Sequence, residues 1–145
     1  MKRKTVSLFS LLLALLFSLF AFACGQSNGQ AKTVVSVATK QEVLVALYCE
    51  ETDGADMLIT AMNDLKENGS LQFEIVGGMV TSIGGVENAA DFSKCWMLYT
   101  TDAALSNTEW GVIEYDGKSL GSAIVGAESL PIKAGEYYVW VYQGF

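Results

Sequence analysis

The chain has 145 residues, 51% of them apolar, with nine Lys and Arg against sixteen Asp and Glu, a net charge of −7, and no histidine. The acidic balance argues against nucleic-acid binding and against adhesion to anionic lipid through a basic patch. The missing histidine removes the usual general base, pH switch and transition-metal ligand together, so the expectation is a non-catalytic protein without a metal or resident cofactor.

Lys2, Arg3 and Lys4 precede an uninterrupted run of apolar and small residues over 6–23, which ends at Cys24-Gly25-Gln26-Ser27. A basic head, an apolar body and a small-residue end make an export signal. Ala21-Phe22-Ala23 is itself an A-x-A site, so plain secretion after cleavage before Cys24 is one reading, and retention of the segment as a helix is another. A cysteine opening the mature chain ahead of a polar tether resembles the lipobox of bacterial lipoproteins, with Ala21 where Leu is usual and Phe22 where a small residue is usual. That resemblance implies residues 1–23 as a signal, a lipid on Cys24, and a protein anchored on the extracellular face of the cell membrane. Three of the nine cations leave with the signal, so six remain against all sixteen acids and the mature chain carries −10.

Residues 25–32 (GQSNGQAK) read as a flexible tether spanning about 15 Å. Residues 33–145 are then one domain. Residues 33–39 (TVVSVAT) and 42–49 (EVLVALYC) are strand-like, and the second run is apolar on both faces, as a central strand is. Thr52 or Asp53 is placed to cap a helix in which Met57, Leu58, Ala61, Met62 and Leu65 form one apolar stripe, and Asn68-Gly69 ends it. Strands follow at 71–76 and 79–83 around a Gly77-Gly78 turn, then at 94–100 and 110–115 joined by a loop over 101–109. After the Asp116-Gly117 turn come a short strand at 122–125 and a terminal strand at 136–142, with Pro131, the only proline, ahead of it. One helix on a mixed or antiparallel sheet of about five strands predicts an α+β fold, a β-grasp-like roll.

Several segments resemble the transcobalamin-like C-terminal domain family, common in lipoproteins and surface proteins of Gram-positive bacteria. These are residues 59–69 (ITAMNDLKENG), residues 80–86 (VTSIGGV), Trp96 with Tyr99, and Lys133-Ala134-Gly135-Glu136 followed by Trp140 and Tyr142. They occur in the family's order over residues 43–143. Glu136 stands where the family has Asp, and the helical barrel that forms the opposite wall of the site in vitamin B12 carriers is missing. The resemblance implies a β-grasp-like domain and a corrinoid such as cobalamin as ligand.

Candidate site residues are aromatic. In an alternating terminal strand Tyr138, Trp140 and Tyr142 share one face and Val139 and Val141 the other. If the valines face the helix, the aromatic row lies on the outer face, where with Trp96 and Tyr99 it can stack on a planar ligand or anchor a partner. The plainer alternative is sheet packing by cross-strand pairs. Gly84 and Gly85 mark a loop beside this candidate site. Cys49 and Cys95 are either a disulfide or two small buried hydrophobes. Gly117-Lys118-Ser119-Leu120-Gly121 matches G-x-S-x-G, but a nucleophile elbow needs a histidine partner and a following helix, so the match is set aside. The acidic run Glu50, Glu51, Asp53, Asp56 lacks the spacing of a calcium loop. The expected function is a lipid-anchored extracellular binding module for a soluble ligand; the alternative is an envelope domain that docks onto another protein and takes no small molecule.

Overall fold

The computed structural model describes residues 33–41 and 43–144. The expected export signal over 1–23, Cys24 and the expected tether over 25–32 lie outside the described residues. The elements are β1 (Val34–Lys40), β2 (Leu44–Glu51), α1 (Leu58–Glu67), β3 (Phe73–Val76), β4 (Met79–Ile83), β5 (Val86–Glu87), β6 (Lys94–Thr100), β7 (Ser106–Tyr115), β8 (Lys118–Ala123) and β9 (Tyr137–Gly144). Six strands form one sheet in the order β1-β2-β9-β6-β8-β7, and β3-β4-β5 form a second. Every recorded pairing is antiparallel. The expected α+β roll of about five strands is therefore corrected: the described chain is mostly β, nine strands in two sheets with one short helix. Eight strand runs are legible in the sequence, but not how they join into two sheets, and the strand signal falls short at β5 and in the polar parts of β7 and β8. The start of β7 (Ser106, Asn107, Thr108) and most of β8 (Lys118 to Ala123) carry polar or small side chains, and β5 is two residues long. Their strand character comes from ladder hydrogen bonds, which apolar alternation does not register.

Helix α1 buries Leu58, Ala61, Met62 and Leu65 along one stripe, as the spacing predicts, whereas Met57, expected in the same stripe, stands ahead of the helix and is exposed. Its start differs from the expectation. Neither Thr52 nor Asp53 caps it; the residue at the cap position, Met57, makes no side-chain cap bond. Instead Leu58 N–H donates to the Leu130 carbonyl (2.8 Å) and Ile59 N–H to the Ala127 carbonyl (3.0 Å), so a distant segment satisfies amides that the helix leaves orphaned. Its end follows the sequence signal: Gly69 takes φ 80° and Ser70 N–H returns to the Leu65 carbonyl at 2.8 Å.

The six-stranded sheet has a core on each side. Toward α1 and the small sheet lie Val45, Leu47 and Cys49 of β2, Trp96 and Leu98 of β6, and Tyr138 and Trp140 of β9. On the other side Ala46, Tyr99, Leu120 and Val139 form a second cluster, flanked by Leu44, Met97, Ile113, Tyr115, Tyr137 and Val141. The alternation of the last strand is as read, but its direction is reversed. Tyr138 and Trp140 face the helix side and are buried, while Val139 and Val141 face away. Alternation settles which residues share a face, not which face is covered by what. Trp96, Tyr138 and Trp140 are buried together in the core shared with the helix and the small sheet.

The second face is covered by the sheet itself. Lys40, at the end of edge strand β1, places Nζ 4.7 Å from the ring centroid of Tyr115, at the end of the opposite edge strand β7. Strong coiling thus brings the two edges together over one face. Tyr137 sits between them, 4.7 Å from Tyr48 and 5.5 Å from Tyr115 by ring centroids. Its hydroxyl donates to Asp116 Oδ2 at 2.6 Å and latches the β7–β8 turn to β9. Acceptance by that carboxylate, with burial, pushes the Tyr137 phenol up to about 12. Farther along β7 the ladder slips: Asn107 faces Ser122 and Val112 faces Gly121, so residues 108–111 loop out. Gly111 (φ 148°) passes so near Tyr99 that a Cβ there would stand 3.2 Å from its hydroxyl.

Cys49 and Cys95 are free and buried. Cys49 is opposite Glu136 and Cys95 opposite Gln143, so about 20 Å of β9 separates them, and they point to opposite faces. A disulfide requires Cα atoms within about 7 Å, so the candidate bridge is not formed. Burial raises the Cys49 thiol above its ordinary value and keeps it protonated.

Candidate functional site

The site grows from the meeting of two sheets. The glycine turn between β3 and β4 has φ 58° at Gly77 and 82° at Gly78, a conformation that glycine adopts without strain and that reverses a hairpin in two residues. It carries the tip of the small sheet to the segment after β8, where the Gly78 carbonyl lies 3.7 Å from the position of a Cβ on Gly126. Beneath this contact is a cleft of about 360 Å³, bounded by Met79 and Val80 of β4, Trp96 and Leu98 of β6, Val125, and Trp140 of β9.

Its two tryptophans differ in one respect. Trp96 donates Nε1–H to the Val86 carbonyl at 2.7 Å, which pins its ring to β5, and Tyr142 packs against it at 5.5 Å between centroids. Trp140 is 5% exposed, and its Nε1–H has no acceptor among the described residues. Buried donors are paired in the great majority of cases, and an orphan costs about 1–3 kcal/mol. No charged residue is among the lining residues of the cleft.

The other expected residues disperse. Tyr138 is fully buried deeper in the core; its hydroxyl accepts from Lys133 N–H (2.8 Å) and donates to the Pro131 carbonyl (3.4 Å). Desolvation is the main cause that pushes its phenol up to about 12. Tyr99 lies on the opposite face and accepts from Gln143 Nε2 at 2.6 Å. Gly84 and Gly85 make the exposed β4–β5 turn, and Gly84 borders a different, smaller crevice with Leu71. The structure therefore joins Trp96, Trp140 and Tyr142 and separates Tyr99, Tyr138, Gly84 and Gly85 from them. Met79, Val80 and Val125 escaped the sequence reading. The Gly77-Gly78 signal was visible as a turn, but where its tip lands is a long-range fact.

No family model, curated protein or solved structure matches the chain. Among the described residues no group of three or more Cys, Asp or Glu is placed to hold a metal, and Asp53 and Asp56 are engaged with Ala55 N–H and the Thr33 hydroxyl. Asp102, buried at the end of β6, is met by Lys133 Nζ at 2.7 Å from Oδ2, the oxygen that accepts no directed hydrogen bond. Alongside it the Thr101 hydroxyl donates to the Glu136 carboxylate and accepts from Tyr137 N–H at 2.8 Å. These contacts tie residues 133–136 to β6 and leave those groups engaged within the fold. No described helix is long and apolar enough to cross a membrane.

Proposed function

We propose that the protein is a non-catalytic binding module, held on the extracellular face of a cell membrane by a lipid on Cys24, that captures a soluble small molecule in the cleft between its two sheets. The observation that carries this reading is the cleft between the sheets, lined by Trp96 and Trp140, whose volume falls within the range of small-ligand sites. The −10 charge of the mature chain supports a domain that stays clear of anionic headgroups. The motif resemblance points to a corrinoid. At about 360 Å³ the cleft is small, so a corrinoid would engage it through an edge or a substituent and lie across its mouth. Calorimetric titration of the purified protein with cobalamin, followed in parallel by tryptophan fluorescence, tests this ligand. Saturable heat that Trp140→Phe weakens supports it; no heat and no quenching at millimolar cobalamin removes it. For the anchor, Cys24→Ala should release the protein from the membrane fraction, and unchanged retention contradicts lipidation.

One observation favours protein docking as a second reading. Beside the cleft, on the outer side of the small sheet, Val76 (68% exposed), Met79 (48%) and Phe92 (56%) border an open groove of about 570 Å³. Phe92 is held at φ 57°, a costly conformation for a bulky residue. Under that reading Phe92→Ser abolishes association with an envelope partner and leaves small-molecule binding intact.

A further inference from the structure

Among the described residues the two sheets end in four edge strands, β1, β7, β3 and β5, and three of these are blunted. Strand β7 is broken where residues 108–111 loop out, and it carries Glu109 and Glu114. On the small sheet the Phe73 carbonyl of β3 accepts from Lys66 Nζ at 2.7 Å. Strand β5 is two residues long, and its Val86 carbonyl accepts from Trp96. Bulges, charges, short length and covering side chains are the usual means by which sheets protect their edges. The middle of β1 has none of them. Its seven residues, VVSVATK, include no proline and no acid, and the one cation, Lys40, stands last. Its pairing with β2 is regular from Val35 to Lys40, the irregularity falling at Val34.

A strand aims the N–H and C=O groups of alternate residues at opposite neighbours. With β2 on one side only, alternate β1 groups face outward. Among the described residues the one backbone bond to β1 from beyond its ladder with β2 is Val43 N–H to the Lys40 carbonyl, which closes the turn. Beside this edge runs a groove of about 640 Å³ between the start of β1 and α1. Val34 and Val35 line one side, Ala61 and Leu65 are the apolar part of the other, and Asp64 and Glu67 stand there exposed. No described cation lines the groove. Lys66, between the two acids in sequence, is engaged by the Phe73 carbonyl and Glu74. A row of unmet ladder groups next to two carboxylates is complementary to an extended backbone with basic side chains.

We propose that β1 receives an extended, basic segment of a partner protein as a seventh strand of the large sheet, with lysines or arginines set against Asp64 and Glu67. Val35 and Val37 face the helix-side core, so every second residue of the added strand faces α1 as well. A second copy of this chain is disfavoured as the occupant, because both copies carry −10. The surface is separate from the cleft, and neither Trp96 nor Trp140 borders it. The purified protein, labelled with ¹⁵N, is titrated with the synthetic peptide acetyl-Lys-Val-Lys-Val-Lys-Val-Lys-amide. Two relatives of the peptide serve as controls. One has Glu in place of each Lys; the other keeps Lys but is N-methylated at every residue, which preserves its charge and removes its ladder donors.

The lysine peptide is expected to bind saturably, to shift the amide resonances of residues 34–40 and of α1, and to slow exchange of the outward β1 amides. The glutamate peptide should bind about tenfold more weakly or worse. Asp64→Asn with Glu67→Gln, both at exposed positions, should weaken the lysine peptide about fivefold, the return on two exposed ion pairs. The N-methylated peptide should not bind. Equal binding of the N-methylated and plain lysine peptides overturns the proposal, because charge attraction alone then suffices. Equal binding of the glutamate peptide overturns the choice of a basic partner. Shifts confined to residues outside β1 and α1, or no binding at millimolar lysine peptide, remove β1 as an acceptor edge. Self-association that protects the same β1 amides without peptide gives the edge to a second copy and overturns the proposal as well.

Discussion

The two faces of the six-stranded sheet are both buried, but by different means. One is covered by separate pieces, α1 and the small sheet; the other is covered by the sheet's own curl, latched by Tyr137 and Asp116. Covering by separate bodies leaves seams, and the cleft at Trp140 lies along one. Covering by continuous ladder brings side chains together through backbone pairing and closes on itself. Binding sites are thus expected where independent layers meet, and stability where one layer folds over.

The comparison breaks first if either face proves not to be a core. Leu58 on the helix side and Leu120 on the curled side are both fully buried, so alanine at either should cost about 2–5 kcal/mol in urea unfolding. A near-neutral Leu120→Ala would mean that the curl merely shades its face. Lys133→Ala, which strands buried Asp102, should cost about 1–3 kcal/mol, less than for a wholly buried pair because half of the lysine is in water; Asp102→Asn in the same background should recover part of the loss.

Alkaline unfolding compares the faces directly, since Tyr137 belongs to one and Tyr138 to the other. Both phenols are held neutral, pushed up to about 12 from 10. The stability they contribute is whole below pH 10 and is lost as pH rises through about 12. Urea midpoints measured from pH 8 to 12 should fall over that window. Tyr138→Phe should flatten the fall more than Tyr137→Phe, because its hydroxyl is fully enclosed. The smallest effect concerns the latch: Tyr137→Phe should speed amide exchange in the β7–β8 hairpin and leave α1 protected. Labelling of Cys49 and Cys95 in the native protein should be slow on both faces, and on unfolding equal with or without reductant.

Much of this was legible locally. The stripe from Leu58 to Leu65, the turns at Gly77-Gly78 and Asp116-Gly117, and the pairing of parity in Tyr138, Trp140 and Tyr142 are set by contacts within a few residues, which composition and spacing report. The start of α1 was not, because its first amides are satisfied by carbonyls of Leu130 and Ala127, some seventy residues away. Trp96 and Trp140 were singled out as aromatic candidates for the wrong face. What recommends them is the cleft that they line together, which no sequence pattern encodes.

By itself the sequence determined an acidic, histidine-free chain rich in strands, one amphipathic helix, its tight turns, and a basic then apolar N-terminal run with Cys24 behind it. Only the tertiary structure decided that nine strands divide into two sheets, that the terminal aromatic row turns inward, that Cys49 and Cys95 stay apart, and that a cleft opens beside Trp140. The reason is one of range. Propensity, alternation and turn chemistry act over a few residues, whereas the side of a sheet that is covered depends on where distant segments come to rest.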